Sequence, residues 1–310
     1  MSIAYRTTKP ILLAPAGSLA AAQATLDAGS DAIYVGLKGF SRGGPRSELT
    51  SLALQDVLTA AHAQGRRLQV ALNTIPAQAE RRELVRRVGE LTDWGIDGVI
   101  VNDVGLLAEL RSRYPRLSLT ASIGCGVMNE ANIAFYRDLG TDAVVLPGTL
   151  TPDEIAAFAQ VPDVLIEVMV HMVDEFILLG KCWMPSYCRL NSTPLASQRT
   201  SESRLIGSVK RGGVGVCFKI CEQPWELYRG GRCVATRLLP SRQVSAINHL
   251  ADILNAGVDV VKLQGRSLPP ELLAPLVRRY RRAIDAWMAG ESLPPFAEPC
   301  LEPSWTAMCR

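Results

Sequence analysis

Cysteines are the residues of this chain whose number and spacing most clearly suggest chemistry. The 310 residues include eight cysteines; Cys125 stands alone, while Cys300 and Cys309 lie near the carboxyl end. The other five fall within one stretch, as Cys182, Cys188, Cys217, Cys221 and Cys233. We see no apolar segment followed by a small-residue cleavage site at the start, so we expect no signal peptide and a cytoplasmic location. Disulfides are uncommon in that reducing compartment, so metal binding is the first explanation to consider.

The spacing of the clustered cysteines favours one kind of metal centre. Cys217 and Cys221 are four residues apart, and Cys182 and Cys188 are six apart with Pro185 between them. Four thiolates can bind zinc tetrahedrally or hold an iron–sulfur cluster. Zinc sites usually use Cys-x-x-Cys pairs, and neither pair has that spacing. The wider spacing fits a 4Fe-4S cluster better, with unligated loop cysteines as the alternative.

A second group of candidate residues is polar and follows short apolar runs. Its proposed catalytic members are Asn73, Asn102 and His171, and its proposed substrate-binding members are Arg42, Ser122 and Arg266. The alternative role for the residues at the strand ends is to cap loops and satisfy backbone groups, and the alternative for the Arg42 segment is a mobile solvated loop. Arg266 and Lys262 could clamp carboxylates, but strand alternation favours an orientation of Lys262 away from such a site. The chain contains no HExxH, no GxSxG and no recognisable protease constellation, which argues against a peptidase.

The elements that must position these residues are indicated by a repeated Gly-x-Asp pattern. Each copy follows a helical stretch and precedes an apolar run, with its glycine at Gly29, Gly95, Gly140 and Gly257. Glycine suits the position after a helix, where φ is often positive. An apolar run of about five residues is typical of a strand that is buried on both faces. Each copy therefore indicates the αβ half of a parallel βαβ unit.

Eight strands are predicted when the gaps between the repeats are filled. They are Ile11–Ala14, Ala32–Leu37, Leu68–Asn73, Gly98–Asn102, Leu119–Ser122, Ala143–Leu146, Val164–Val170 and Val260–Gln264. Helical patterns such as Leu49–Gln64 and Glu80–Trp94 separate most of them. Eight parallel strands alternating with helices favour a (β/α)8 TIM-like barrel, with a doubly wound open sheet as the alternative.

The predicted domain organisation is a single barrel with one long insertion. The barrel covers residues 1–290, and residues 291–310 form a Pro-rich tail. The clustered cysteines occur in an insertion at about residues 171–259, which follows the seventh predicted strand. In a barrel that insertion would rise from the C-terminal ends of the strands, where active sites lie.

Composition gives no direct indication of a nucleic-acid or membrane partner. The formal net charge is only +3 and 48% of the residues are apolar, which gives no strong nucleic-acid signal. The Arg-rich segments Arg199–Arg211 and Arg278–Arg282 are the best support for RNA binding, but such runs are usually solvated faces. No apolar run is long enough for a transmembrane segment.

Several motifs together resemble a known family. They include LLAPAGSLAAAQATLDAGSDAIYVGL near the start, Leu72-Asn73-Thr74, Glu167–His171, Gly180-Lys181-Cys182 and Val261–Arg266. Over roughly residues 10–288 the chain resembles the collagenase-like peptidase family, which includes the UbiU and UbiV proteins and related RNA hydroxylation proteins. The Lys-x-x-Gly-Arg element and the helix ending RRAIDAW look most like the UbiU branch.

The resemblance implies a cofactor and a set of ligands. Members of this kind carry a 4Fe-4S cluster on four cysteines and hydroxylate without molecular oxygen, with prephenate as the associated oxygen source. The family pattern places three ligands on Cys182, Cys217 and Cys221. Its remaining UbiU-type ligand falls on Glu175, which is not a cysteine. Cys188 is therefore our expected fourth ligand, with Cys233 and Glu175 as alternatives.

The function expected from this resemblance is hydroxylation of an aromatic ring in ubiquinone-type biosynthesis. The substrate would be a small aromatic or quinone precursor, and the chain would form a heterodimer with a UbiV-like paralogue. Chain length and nearly balanced charge favour this function over the alternative, which is hydroxylation of a tRNA or rRNA base. A non-catalytic, cluster-bearing partner subunit is a further alternative, and peptidase activity is the weakest.

Overall fold

The computed structural model describes most of the chain. The described residues are 9–42, 47–76, 78–173, 177–178, 181–182, 226–236, 243–292 and 294–297. Strands β1 to β8 are Ile11–Pro15, Ala32–Leu37, Glu48–Leu49, Arg67–Leu72, Gly98–Val101, Ser118–Ala121, Ala143–Leu146 and Leu165–Val173. Strands β9 to β14 are Ile177–Leu178, Lys181–Cys182, Glu226–Arg229, Arg232–Thr236, Gln243–Ser245 and Val260–Leu263.

Eight of these strands form a closed parallel barrel. The order of hydrogen-bonded neighbours is β1, β14, β8, β7, β6, β5, β4 and β2, and β2 also pairs with β1. Ile11 lies opposite Val260 on one side of β1, and Leu13 lies opposite Ala32 on the other. The barrel confirms the predicted (β/α)8 class and rules out an open doubly wound sheet. All eight predicted strands are present, with ends shifted by up to three residues.

Helices alternate with the strands and cover the outside of the barrel. Their bounds, α1 to α8, are Leu19–Asp27, Ser51–Ala63, Gln78–Asp93, Val104–Arg113, Glu130–Asp138, Pro152–Phe158, Leu250–Asn255 and Pro270–Met288. Side-chain oxygens of Ser18, Thr50 and Thr151 accept hydrogen bonds from backbone N–H groups in the first turns. These caps supply partners that the first turn of a helix lacks. They therefore help to fix where α1, α2 and α6 begin.

The apolar core has two layers because each barrel strand is covered on both faces. Alternate residues such as Ile33 and Val70 pack outward against the helices. A smaller inner cluster fills part of the barrel, and it comprises Leu13, Ala32, Tyr34, Ala71, Ile100 and Val260. Successive residues of a strand belong alternately to the outer and the inner cluster, so every other side chain points into the barrel.

The Gly-x-Asp repeat has a structural role at the N-terminal end of the barrel. Its glycines have φ values between 89° and 97°, in the region where other residues are strained. Each aspartate accepts a hydrogen bond from the backbone N–H of a neighbouring strand, at 2.7–2.9 Å. The donors are Leu12, Leu68, Leu119 and Ile166, for Asp31, Asp97, Asp142 and Asp259 respectively.

The long insertion begins and ends at the opposite, C-terminal end of the barrel. Strand β8 continues to Val173, and β13 pairs with it in antiparallel orientation, with Gln243 opposite Val173 and Ser245 opposite His171. The two ends of the intervening segment, residues 174–242, are therefore adjacent at the barrel mouth. Its described parts are the β9–β10 and β11–β12 pairs. The domain limits at residues 290 and 291 stay a prediction.

Two smaller features complete the fold. The backbone N–H of Phe296 donates to Asn248 Oδ1 at 2.8 Å, and Asn248 Nδ2 donates to the carbonyl of Phe296 at 3.2 Å. This pair attaches the described part of the tail to the barrel. Within the described ranges, no helix is both long and apolar enough to cross a membrane.

Candidate active site at the C-terminal end of the barrel

Three predicted site residues form a row at the mouth of the barrel. Asn73, Asn102 and Ser122 directly follow the neighbouring strands β4, β5 and β6. Leu72 lies opposite Val101, and Val101 lies opposite Ala121, so the three residues that follow are in register. Adjacent strands are about 4.8 Å apart. The structure therefore brings these three side chains together on the inward face.

The side chain of Asn102 is buried and has no hydrogen-bond partner. The residue is 6% exposed, and neither Oδ1 nor Nδ2 is bonded. A Cβ atom at Gly124, in the turn after β6, would lie 2.0 Å from Asn102 Oδ1. Gly124 therefore leaves the space that this amide occupies. A buried amide with one donor group and one acceptor atom unbonded is costly unless a ligand or an ordered water satisfies it.

Arg42 lies beside this row, in the loop that follows β2. Its backbone N–H donates to Asn73 Oδ1 at 3.0 Å, which ties the loop to the end of β4. The residue is 8% exposed, and its Nε and Nη1 atoms are buried without a hydrogen-bond partner. The predicted substrate-binding arginine is thus a buried cation whose donors are not all used.

Arg266 follows β14, and its guanidinium reaches the loop after β2 that also carries Arg42. Its Nη1 donates to Ser41 Oγ at 2.6 Å, and its guanidinium lies 5.7 Å from the centre of the Tyr34 ring. A Cβ atom at Gly36 would lie 2.3 Å from both Arg266 Nη1 and Ser41 Oγ. Because Gly36 has no side chain, Arg266 has room to contact Ser41 in the loop after β2.

Below Arg266, the barrel interior contains a buried ion pair. Lys262 Nζ binds the carboxylate of Glu167, and it also lies 4.6 Å from the centre of the Tyr34 ring. Lys262 lies on the inner face of the barrel with Val260, so strand alternation does not turn it outward; its Nζ is engaged by Glu167, as the structural alternative to carboxylate clamping implies. Burial lowers the pKa of Lys262, while the Glu167 carboxylate opposes that shift.

Sequence reasoning missed Tyr34 and Glu167 as members of this interior group. Tyr34 donates from its hydroxyl to the carbonyl of Leu263 at 2.9 Å, and the second carboxylate oxygen of Glu167 has no partner. A single acidic residue within the apolar run of β8 was the available signal. Such a residue needs a buried partner, and Lys262 on the neighbouring strand is that partner.

His171 is positioned differently from the other predicted catalytic residues. The register between β8 and β14 shifts after Met169, so that His171 lies opposite Leu263, which packs in the outer core. Its ring packs edge-to-face on Tyr280 of α8, with centroids 6.1 Å apart. Burial, with a smaller contribution from the charge of Arg279, lowers the pKa of His171 to about 4. The structure therefore does not bring His171 into the row at the mouth.

Cys125 and Asp103 border the site with structural roles. Cys125 Sγ lies 3.5 Å from the carbonyl of Val101 and 3.7 Å from that of Asn102. Burial raises the pKa of this thiol to about 12, so Cys125 stays protonated and is a poor nucleophile. Asp103 accepts a hydrogen bond from the N–H of Leu106 and caps α4.

The expected metal ligands fall almost entirely outside the described residues. Cys188, Cys217, Cys221 and the alternative Glu175 are not described, and of Cys182 only the backbone in β10 is. Cys233 is exposed in β12, and its Sγ donates to the carbonyl of Ala235 at 3.5 Å. Within the described residues no three His, Cys, Asp or Glu side chains form a metal-binding group. The ligand set stays a prediction.

A closed barrel with unsatisfied polar groups at its C-terminal mouth is typical of (β/α)8 enzymes. The model of peptidase family U32 matches residues 17–304, and the chain belongs to this family. The match confirms the resemblance that the sequence motifs indicate.

Several similar proteins are named for hydroxylation of RNA. The tRNA hydroxylation protein P of Escherichia coli (strain K12) is 27% identical, over 95% of this chain and 71% of that protein. The 23S rRNA 5-hydroxycytidine C2501 synthase of the same strain is 29% identical, over 89% of this chain but only 39% of its own length. The tRNA hydroxylation protein P2 of Bacillus subtilis (strain 168) is 24% identical, over 89% of this chain and 86% of that protein.

Proposed function

We propose that this protein hydroxylates a base of tRNA or rRNA in the mouth of its barrel, without molecular oxygen. The observation that carries the proposal is the match of nearly the whole chain to relatives named for tRNA hydroxylation. These names favour the RNA alternative over the ubiquinone function that the sequence led us to expect. One argument for ubiquinone was chain length, but the match covers 86% of the P2 relative. Length therefore does not separate the two functions.

The geometry of the mouth is compatible with reading a nucleobase. Asn102 offers an unbonded acceptor and an unbonded donor group, and amide groups of this type can pair with a base edge. Because the site lies at the end of a packed barrel, a base would have to leave its stack to enter it. Asn73 and Ser122 would border the bound base, since they flank Asn102 in the row.

The proposal includes a 4Fe-4S cluster. Its thiolates would come from Cys182, Cys217, Cys221 and a fourth ligand, with Cys188 expected ahead of Cys233 and Glu175. When bound, such a cluster supplies electron-transfer or Lewis-acid chemistry. The segment that carries these cysteines starts and ends beside β8 at the mouth, which supports a location near the row. Prephenate as oxygen source and a UbiV-like partner stay predictions of the resemblance.

The function is tested in a deletion strain of the source organism. Nucleosides from tRNA and rRNA are compared by mass spectrometry in the parent, the deletion strain and complemented strains. We expect one modified nucleoside to lose the mass of an oxygen atom on deletion and to regain it with the wild-type gene. Unchanged nucleosides, together with accumulation of a quinone precursor that lacks a hydroxyl group, would contradict the proposal and restore the ubiquinone function.

The cluster is tested separately by anaerobic purification and analysis of iron and sulfide. Replacement of Cys182, Cys217 or Cys221 by Ser is expected to remove the cluster. Cys300→Ser is the matched control, because Cys300 lies in the tail, outside the cysteine-rich insertion, and it should retain full iron content. Comparison of Cys188→Ser with Cys233→Ser identifies the fourth ligand. Retention of iron by the Cys182, Cys217 or Cys221 variant would show that this cysteine is not a ligand.

A further inference from the structure

The guanidinium of Arg42 is the most unusual charge at the barrel mouth. The residue is only 8% exposed, and the guanidinium atoms Nε and Nη1 are buried without a hydrogen-bond partner. Arginine stays protonated at any pH that proteins tolerate, so this burial cannot be relieved by losing the charge. A buried cation without a paired anion is strongly unfavourable. Its position therefore indicates an anionic group that arrives with a ligand.

Arg42 and Asn102 share one neighbourhood. Asn73 Oδ1 binds the backbone N–H of Arg42, and Asn73 is adjacent to Asn102 in the row that ends β4 and β5. On the far side, Cys125 Sγ lies 3.7 Å from the carbonyl oxygen of Asn102. The positive charge of Arg42 acts to lower the pKa of this thiol. The unsatisfied guanidinium and the unsatisfied amide are thus two parts of one polar region.

Among the described residues, two other cations at the mouth already have partners. Arg266 donates to Ser41, and Lys262 binds Glu167. Asp103 is the nearest acidic residue in sequence to Asn102, and its carboxylate caps α4 instead of pairing with Arg42. The described residues give Arg42 no ion pair. A bound oxyanion would therefore form its ion pair with Arg42.

We propose that Arg42 and Asn102 form an oxyanion-binding subsite at the barrel mouth. The inference rests on the proposed function in that it assigns this subsite to the same active site. The ligand chemistry is an anionic oxygen bound by the guanidinium, beside a group that exchanges hydrogen bonds with the Asn102 amide. Two sources fit this chemistry. One is the carboxylate of a small organic acid, and the other is a phosphate of the RNA substrate.

The test measures anion binding directly, without turnover. Malonate and inorganic phosphate are titrated separately into the purified full-length protein by calorimetry, at constant ionic strength set with chloride. We expect saturable binding of at least one anion and a loss of affinity of at least tenfold in Arg42→Gln. Asn102→Leu should weaken binding severalfold, and Arg42→Lys should retain part of it because the charge remains. Circular dichroism melting of each variant establishes that it is folded.

Arg113→Gln is the matched control, because Arg113 is an exposed arginine of α4 that pairs with Glu109. Its anion affinity should equal that of the wild type. Tighter binding of malonate assigns the subsite to an organic acid. Tighter binding of phosphate, displaced by an RNA oligonucleotide, assigns it to the RNA backbone. Absence of saturable binding, or equal affinity in folded Arg42→Gln and wild type, overturns the inference.

This readout separates the subsite from the proposed function. If nucleosides are unchanged on deletion while Arg42-dependent anion binding is present, the subsite stands and the RNA substrate is wrong. If nucleosides change but no anion binds, hydroxylation stands and the subsite is wrong.

Discussion

The aspartates at the N-terminal end of the barrel and the polar residues at its C-terminal mouth differ in their hydrogen bonding. At the N-terminal end, four aspartates of the Gly-x-Asp repeat each accept a hydrogen bond from a strand N–H. Asp31 also pairs with Arg281, and Asp142 pairs with Arg111. At the C-terminal end, Asn102 and Arg42 have buried nitrogen or oxygen atoms without a partner.

This difference indicates which end of the barrel stabilises the fold and which end binds a ligand. Satisfied buried polar groups rigidify a fold, while unsatisfied ones reduce its stability. A protein can retain the second kind where a ligand supplies the missing partner. We therefore expect the N-terminal end to stabilise the barrel and the C-terminal end to bind a ligand. Substitutions at each end test this assignment.

The largest effect is expected from the ion pair between the two ends. Lys262→Met leaves the carboxylate of Glu167 buried without its partner, and we expect a loss of about 3–5 kcal/mol in the free energy of unfolding. The double variant with Glu167→Leu should lose less than Lys262→Met alone, because no unpaired charge remains. Chemical denaturation measures both. Equal losses in the two variants would show that the unpaired Glu167 carboxylate carries no extra cost.

A smaller loss is expected at the N-terminal end. Asp142→Ala removes the acceptor for Leu119 N–H and the partner of Arg111, which should cost about 2–3 kcal/mol in the free energy of unfolding. Asp138→Ala is the control, because Asp138 pairs with Arg137 on the surface with 68% of its side chain exposed. That change should cost less than about 1 kcal/mol. Equal stability of the two variants would contradict the stabilising role assigned to the N-terminal end.

His171 gives a pH-dependent prediction. Its pKa in the folded protein is about 4, below the value of about 6.5 expected when unfolded. Between these values the unfolded state binds more protons, so acid destabilises the folded state. Between pH 7 and pH 5, we expect the free energy of unfolding of the wild type to fall by about 2 kcal/mol more than that of His171→Gln. Identical pH dependence in both proteins would show that His171 is not buried in its neutral form.

The smallest effect on stability is expected at the mouth. Asn102→Leu replaces an unsatisfied amide by an apolar group of similar size, so the free energy of unfolding should change by less than about 1 kcal/mol. Hydroxylation in the complementation assay should fall by about tenfold or more, which corresponds to about 1.4 kcal/mol of lost transition-state binding. A large loss of stability with unchanged hydroxylation would reverse the roles assigned to the two ends.

Sequence patterns were sufficient for the framework and for part of the site. The Gly-x-Asp repeat and the apolar runs predicted all eight barrel strands, because both patterns are local consequences of a parallel βαβ unit. The residues that follow strands β4, β5 and β6 lie together because parallel strands end at one edge, while their roles in binding and catalysis stay predictions. Composition and length did not identify the RNA-related relatives.

Other features depended on contacts between distant parts of the chain. A register shift in β8 turns His171 toward Tyr280, and the barrel brings Lys262 to Glu167 across 95 positions of sequence. The missing partners of Arg42 and Asn102 are likewise visible only after folding. The sequence by itself determined the barrel and the residues at its mouth, because strand periodicity is local. Only the tertiary structure decided which polar groups are satisfied, because their partners come from other strands and helices.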